Sequence, residues 1–153
     1  MQRNGQKDYI NIVDRKGCSS QVGRVGGRQT LSLQERGCLT YKSSIVHELL
    51  HALGLEHEHS RYDRDKYIKV IWENVSGGRG DKNFELLKKH KWKHLTDFDF
   101  NSVMLYEPTA FGKRSGDITM QSRVSGRKIP RDKDKPDISA GDVVTLKKMY
   151  CSG

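Results

Sequence analysis

The chain has 153 residues, a length that fits one domain and can bury a substantial core. Hydrophobic residues make up 34% and charged residues 31% of it, which predicts a soluble globular protein. No stretch approaches the roughly 20 apolar residues of a membrane span, and no apolar secretory signal follows Met1. The net charge of +9 is compatible with an acidic partner and equally with a solvated basic surface.

The first third of the chain predicts a small sheet. Alternating apolar residues predict strands at positions 9–13 (YINIV) and 30–33 (TLSL), with a glycine-rich turn at 23–27 between them. Three cysteines are present, Cys18, Cys38 and Cys151. An odd count leaves two readings open: reduced thiols in a cytosolic protein, or a secreted chain with one cysteine left over.

The segment from position 47 to 57 (HELLHALGLEH) predicts a metal site. On a helix, His47 and His51 lie one turn apart on one face, and Glu48 projects beside them. Gly54 suits the left-handed turn that ends a helix, and the reversal lets His57 return as a third imidazole. Three neutral imidazoles leave zinc one open position for water, which is the arrangement of a catalytic site.

A bare HExxH also occurs by chance on amphipathic helices, where its histidines cover a core. The added Gly54 and His57 make that reading rare. The chain continues with EHSRYDRD, so that every specified position of HExxHxxGxxHExxRxDRD is filled from His47 to Asp65. The sequence here resembles the astacin family of zinc endopeptidases, which belong to the metzincins.

The resemblance implies an α+β, metzincin-like fold in a single domain over residues 1–153. A small mixed sheet and an active-site helix are expected above a helix- and loop-rich carboxyl-terminal part. A sheet-edge strand within residues 17–38 would pair with an extended substrate. The family domain begins earlier than this chain does, so the resemblance implies an amino-terminally truncated domain.

The resemblance also assigns roles to residues. One Zn²⁺ per chain is expected on His47, His51 and His57, with Glu48 as the general base that takes a proton from the zinc-bound water. The segment 102–106 (SVMLY) resembles the family's Met-turn. It implies that Met104 lies beneath the metal and that Tyr106 is an additional ligand that swings away to stabilise the oxyanion. Leu105 replaces the usual histidine, which is not a ligand.

Three further expectations come from the family. Cys18 and Cys38 match a family disulfide, whereas the partner expected for Cys151 is absent. Glu58 anchors the mature amino terminus in the family; here it is expected to be unpaired or paired with Arg61 or Arg64.

The remaining elements follow from local pattern. An alternating segment at 66–72 predicts a strand, and Ser43 or Ser44 is expected to cap the zinc helix. The basic run at 88–94 (KKHKWKH) predicts a solvated helix face, with phosphate or sulfate binding as the alternative. Loops and short hairpin strands are expected over 111–135. Ser139 and Asp142 predict the start of a last helix.

The leading expectation is a secreted zinc metalloendopeptidase that hydrolyses peptide bonds in extracellular proteins. The first alternative is a truncated, inactive zinc-binding pseudo-protease that binds peptides or acidic matrix. The second is a basic module for sulfated glycans or nucleic acid, although no nucleic-acid motif supports the latter. A monomer with a protein or peptide substrate is expected, without nucleic-acid or membrane partners; weak binding to acidic glycans stays open.

Overall fold

A computed structural model of the protein describes residues 4–90 and 94–151. The chain forms two compact units, one ending at Glu56 and the other beginning at His57. A single domain therefore stays a prediction. The main elements of the chain are β1 (Tyr9–Val13), β2 (Cys18–Ser20), β3 (Arg28–Leu33), α1 (Glu35–Cys38), α2 (Lys42–Ala52), β4 (Ile68–Val70), β5 (Met120–Ser122) and α3 (Ala140–Tyr150). Among the described residues, no helix is long and apolar enough to span a bilayer.

The first unit contains a three-stranded mixed sheet with the strand order β1-β3-β2. The central strand β3 pairs with β1 in parallel and with β2 in antiparallel register. The two predicted strands are confirmed, although β3 begins at Arg28, two residues earlier than expected. Because β2 is at the end of the strand order, it forms one edge of this sheet.

A disulfide joins the edge strand β2 to α1. The bond links Cys18 with Cys38 at a Cα–Cα distance of 5.7 Å, as the resemblance implies. Cys151 is a free, exposed thiol. The covalent link fixes β2 to the segment that directly precedes the helix α2.

Helix α2 lies against β2 and β3, and Leu31 and Leu50 are buried in this unit. The expected serine cap is wrong. The helix already begins at Lys42, so both serines lie in its first turn and neither is the cap. Tyr41 is the N-cap residue and makes no side-chain capping bond. The end of the helix is as expected: Gly54 has φ = +99°, a left-handed conformation that favours glycine.

The second unit is built around a core of apolar side chains. Strands β4 and β5 pair in antiparallel register beside it, so the strand predicted at 66–72 is confirmed only for Ile68–Val70. The buried residues of this core are Ile68, Val70, Val75, Phe84, Phe98, Phe100, Leu105, Met120 and Ile129.

The described start of the basic run, residues 88–90, does not form the expected helix face. A one-turn 3₁₀ helix ends at Phe84, and the residues up to His90 are not helical. Leu87 N, just before the run, donates to the distant Ser60 O over 2.7 Å and so does not make the hydrogen bond that a helix would require there. Lys91, Trp92 and Lys93 lie outside the described residues.

The predicted last helix is confirmed and is tied to the core. Ser139 Oγ accepts from Asp142 N over 2.9 Å, and Asp142 Oδ2 accepts from Ser139 N over 3.2 Å, which is a capping box. The buried Asp142 carboxylate also accepts from Ser102 Oγ (2.7 Å) and Val103 N (3.1 Å). The cap of α3 therefore also holds the start of the turn at 102–106.

Candidate metal centre

Three histidines come together around the end of α2. The rings of His47 and His51 lie one helical turn apart, with centroids 4.6 Å apart and planes at 88°. The chain reverses at Gly54 and continues to His57. One ligand nitrogen from each of the three residues lies within 4.8 Å of the other two, so that the group can hold one metal ion.

The hydrogen bonding of His51 suits a metal ligand. Its Nδ1 lies 2.8 Å from Leu55 O, and since a carbonyl only accepts, Nδ1 carries the hydrogen. The lone pair is then on Nε2, and a hydrogen bond from the other ring nitrogen to a carbonyl commonly orients ligand histidines. Burial, with a contribution from the neighbouring His47, lowers the pKa of His51 to about 4. The imidazole is therefore neutral at pH 7, as metal binding requires.

Glu48 is a buried acid beside the first histidine of the motif. Its side chain lies on α2, and only 5% of the residue is exposed. Among the described residues, Glu48 Oε2 has no hydrogen-bond partner. Burial raises the pKa of Glu48 to about 7. A buried carboxylate without a donor is costly unless it gains a proton or faces a cation, so the donor set fits a site that holds a divalent ion.

Tyr106 packs between the motif and the core of the second unit. Its ring centroid is 4.6 Å from that of His57 and 3.9 Å from that of His59, to which it is stacked. Tyr106 thus contacts one of the three candidate ligands directly. The role expected for its hydroxyl, as a further ligand and oxyanion donor, stays a prediction.

His59 is a residue of this region that the sequence reasoning missed. It is fully buried, its Nε2 lies 2.9 Å from Asn83 O, and its ring supports both Tyr106 and His57. It occupies an unspecified position of the long motif. Only the tertiary contacts therefore reveal it as the support of the Tyr106 ring.

The turn at 102–106 connects to the motif through its backbone. Met104 O accepts from Glu58 N over 3.0 Å, and Met104 N donates to Ser102 Oγ over 3.0 Å. The side chains of Met104 and Leu105 are both buried. Leu105 belongs to the apolar core, which explains how this position accommodates a leucine. The position of Met104 beneath a metal stays a prediction.

Glu58 pairs with one of the two arginines considered for it. Its Oε1 accepts from Arg61 Nη1 over 3.1 Å and from Asp99 N over 2.8 Å. Arg64 instead donates to the carbonyls of His59 and Phe84. Burial raises the pKa of Glu58 to about 7, although the Arg61 charge opposes that shift.

The chain is similar to known zinc metalloproteinases and hatching enzymes over most of its length. Zinc metalloproteinase nas-13 of Caenorhabditis elegans is 50% identical over 147 residues, which cover 95% of this chain and 31% of that protein. Low choriolytic enzyme of Oryzias latipes is 44% identical over 149 residues, which cover 97% of this chain and 52% of that protein. The chain thus spans 31% and 52% of the lengths of these two relatives.

A solved structure shows the same fold. High choriolytic enzyme 1, a hatching enzyme zinc-protease from Oryzias latipes (medaka fish), superposes with a TM-score of 0.85 at 32% identity. The superposition covers 99% of this chain and 72% of that chain. The α+β, metzincin-like fold class is confirmed by this neighbour and by the mixed sheet and helices described above.

The family itself follows from a match along nearly the whole chain. The Astacin family model, which describes a peptidase family, matches residues 1–151. His47, His51 and His57 of this chain form a potential zinc site. On this match, and on the identities of its relatives, the chain belongs to the astacin family of peptidases.

Proposed function

We propose that this chain is the catalytic part of a secreted zinc metalloendopeptidase that hydrolyses peptide bonds in extracellular proteins. The observation that carries the proposal is the group of three imidazole nitrogens within 4.8 Å of one another. The buried Glu48 carboxylate on the same helix supports it. The Cys18–Cys38 disulfide supports a secreted protein, because such bonds persist mainly in oxidising compartments.

The proposed roles follow from the chemistry of each side chain. His47, His51 and His57 would hold the zinc ion. When bound, zinc polarises a carbonyl oxygen and lowers the pKa of water, and it also lowers the pKa of a nearby carboxyl. Glu48 takes a proton from the attacking water and passes it to the leaving amine, which is the work of a general base and then a general acid.

Two further elements would act on the substrate. Tyr106 is proposed to donate a hydrogen bond from its hydroxyl to the developing oxyanion, and its stacking on His59 supports a defined ring position. The edge strand β2 is proposed to pair with the substrate backbone, because an edge offers unpaired main-chain groups.

The decisive experiment compares the wild type with Glu48→Gln. We expect the variant to bind one zinc ion per chain but to lose peptidase activity by at least about 100-fold, since general base catalysis contributes that much or more. Zinc content is measured by elemental analysis and activity with a fluorogenic peptide library. Glu85→Gln, which changes an exposed glutamate, is the matched control and should behave as the wild type.

Two outcomes would decide against parts of the proposal. Full activity of Glu48→Gln would remove Glu48 from its role. A zinc-loaded wild type that binds peptides but cleaves none would favour the inactive pseudo-protease. Hydrolysis that a chelator abolishes and added zinc restores would instead exclude that alternative.

A further inference from the structure

Phe111 has an unusual backbone conformation. Among the described residues, it is the one non-glycine residue with a positive φ, at +56°. A bulky side chain disfavours this left-handed region, so the surrounding structure must hold it there. Two hydrogen bonds do so: Ser76 N donates to Phe111 O over 2.9 Å, and Gly112 N donates to Thr109 O over 3.2 Å.

This strained conformation does not bury the side chain of Phe111. The residue is 44% exposed, whereas its neighbour Phe84 is buried in the core. The ring contacts Tyr106 at a centroid distance of 5.3 Å and Phe84 at 6.1 Å. The packing of this half-exposed ring does little to offset the energetic cost of the positive φ. Backbone strain of this kind is concentrated at functional sites.

The position of Phe111 relates it to the metal centre. The Tyr106 ring contacts both His57 and Phe111, at centroid distances of 4.6 and 5.3 Å. One shared ring therefore connects a candidate zinc ligand to an exposed apolar ring. An extended peptide advances about 3.3 Å per residue, so two ring contacts correspond to at most roughly three residues of a bound substrate.

The surroundings of Phe111 decide which side chain it suits. An exposed aromatic ring attracts either an apolar group or a cation. The cationic Lys113 and Arg114 lie two and three residues after Phe111, and the whole chain carries a net charge of +9. A cationic substrate side chain would be repelled, whereas an apolar one would gain from leaving water.

We propose that Phe111 is a specificity-determining residue whose exposed ring binds an apolar substrate side chain within about three residues of the scissile bond. This inference rests on the proposed peptidase function. It assigns to the chain a preference that the three histidines and Glu48 do not provide.

The test uses fluorogenic peptides that differ at one position, with leucine, serine or lysine at each of the three residues on either side of the cleaved bond. The wild type should prefer leucine at one of these positions by roughly tenfold in KM, within the range that one apolar contact contributes. Phe111→Gly removes the ring and suits the left-handed backbone, and it should reduce that preference to less than about twofold. Phe111→Tyr retains the ring and should retain the preference.

A purely structural role would give a different result. In that case Phe111→Gly would lower the melting temperature or kcat but leave the leucine preference intact, and this outcome would overturn the inference. Phe111→Asn is the second variant if the glycine variant fails to fold, because asparagine also adopts left-handed conformations.

The inference can fail separately from the proposed function. If the wild type cleaves no peptide, the binding of the leucine and serine peptides to the zinc-loaded chain is measured by calorimetry. A leucine preference that disappears in Phe111→Gly would support the subsite without catalysis. Equal affinities in the wild type, or an unchanged preference in the variant, would overturn it.

Discussion

Glu58 is a buried carboxylate whose hydrogen bonds from Arg61 and Asp99 N do not fully compensate for its removal from water. Arg61 gives it one hydrogen bond, while the same guanidinium gives Asp63 two, at 2.9 and 3.0 Å. Burial therefore prevails and raises the pKa of Glu58 to about 7 from 4.5. A raised carboxyl pKa means that the folded protein holds the proton more tightly than the unfolded chain. The resulting stability is fully present below about pH 4.5 and is lost as the pH rises through 7.

This shift predicts how Glu58→Gln changes the pH dependence of stability. The zinc-free wild type should lose on the order of 3 kcal/mol of unfolding free energy between about pH 5 and pH 8 relative to the variant. The reason is that glutamine has no charge to bury at the higher pH. Urea unfolding at each pH measures the difference. Glu85→Gln, at an exposed position, should follow the wild type; parallel curves for Glu58→Gln and the wild type would contradict the assignment.

At the scale of single residues, the sequence predicts those whose role depends on spacing. The four-residue spacing of His47 and His51 and the glycine at position 54 are local features, and the structure shows their expected geometry. His59 and Phe111 are different. The role of His59 depends on the distant Asn83 carbonyl, and the conformation of Phe111 depends on a hydrogen bond from Ser76. Neither contact has a signal in the local sequence.

At the scale of elements, the cap of α3 has two tasks. Asp142 closes the capping box with Ser139, and the same carboxylate accepts from Ser102 Oγ and Val103 N. One buried side chain therefore orders both a helix terminus and the turn that leads to Met104 and Tyr106. The sequence predicts only the first task, because the Ser102 contact spans 40 positions.

Asp142→Asn tests the double role of this cap. The amide cannot accept from all three donors with equal strength, and its NH₂ group faces donors, so we expect a loss of about 2–3 kcal/mol in unfolding free energy. Chemical denaturation of the zinc-free protein measures it. Asp134→Asn, on the exposed surface, should change stability by less than about 0.5 kcal/mol. A similarly small effect at Asp142 would show that the network adds little.

The errors at the element scale have a common cause. The expected serine cap is wrong because α2 begins before Ser43. Residues 88–90 are not helical, and Leu87 N just before them donates to Ser60 O. In both cases the pattern favours the right type of residue but does not determine where the backbone hydrogen bonds go. By contrast, α3 has a cap and a helical segment that agree with each other, and its prediction is confirmed.

At the scale of the whole molecule, the net charge of +9 is spread along the chain and is not confined to one motif. We therefore expect the protein to bind immobilised heparin through its general surface charge, with or without a chelator. It should elute before about 1 M NaCl, where the Debye length falls to about 3 Å.

Two charge variants separate general attraction from a specific glycan site. The exposed pair Lys88→Ala and Lys89→Ala removes charge from the basic run, and the pair Lys128→Ala and Lys133→Ala removes the same charge elsewhere. General attraction predicts equal shifts of the heparin elution position. A clearly larger shift for the first pair would instead support a glycan site at the basic run.

The Cys18–Cys38 bond has a consequence for the order in which the protein matures. A chain that meets zinc before this bond forms presents the thiols of Cys18 and Cys38 beside that of Cys151, and thiolates are strong zinc ligands that compete with imidazoles. Formation of the disulfide removes two of these three competitors, so we expect correct zinc loading to be favoured when the disulfide forms first. Recombinant preparations from a reducing cytoplasm should therefore contain misplaced zinc until the thiols are oxidised and the ion is exchanged.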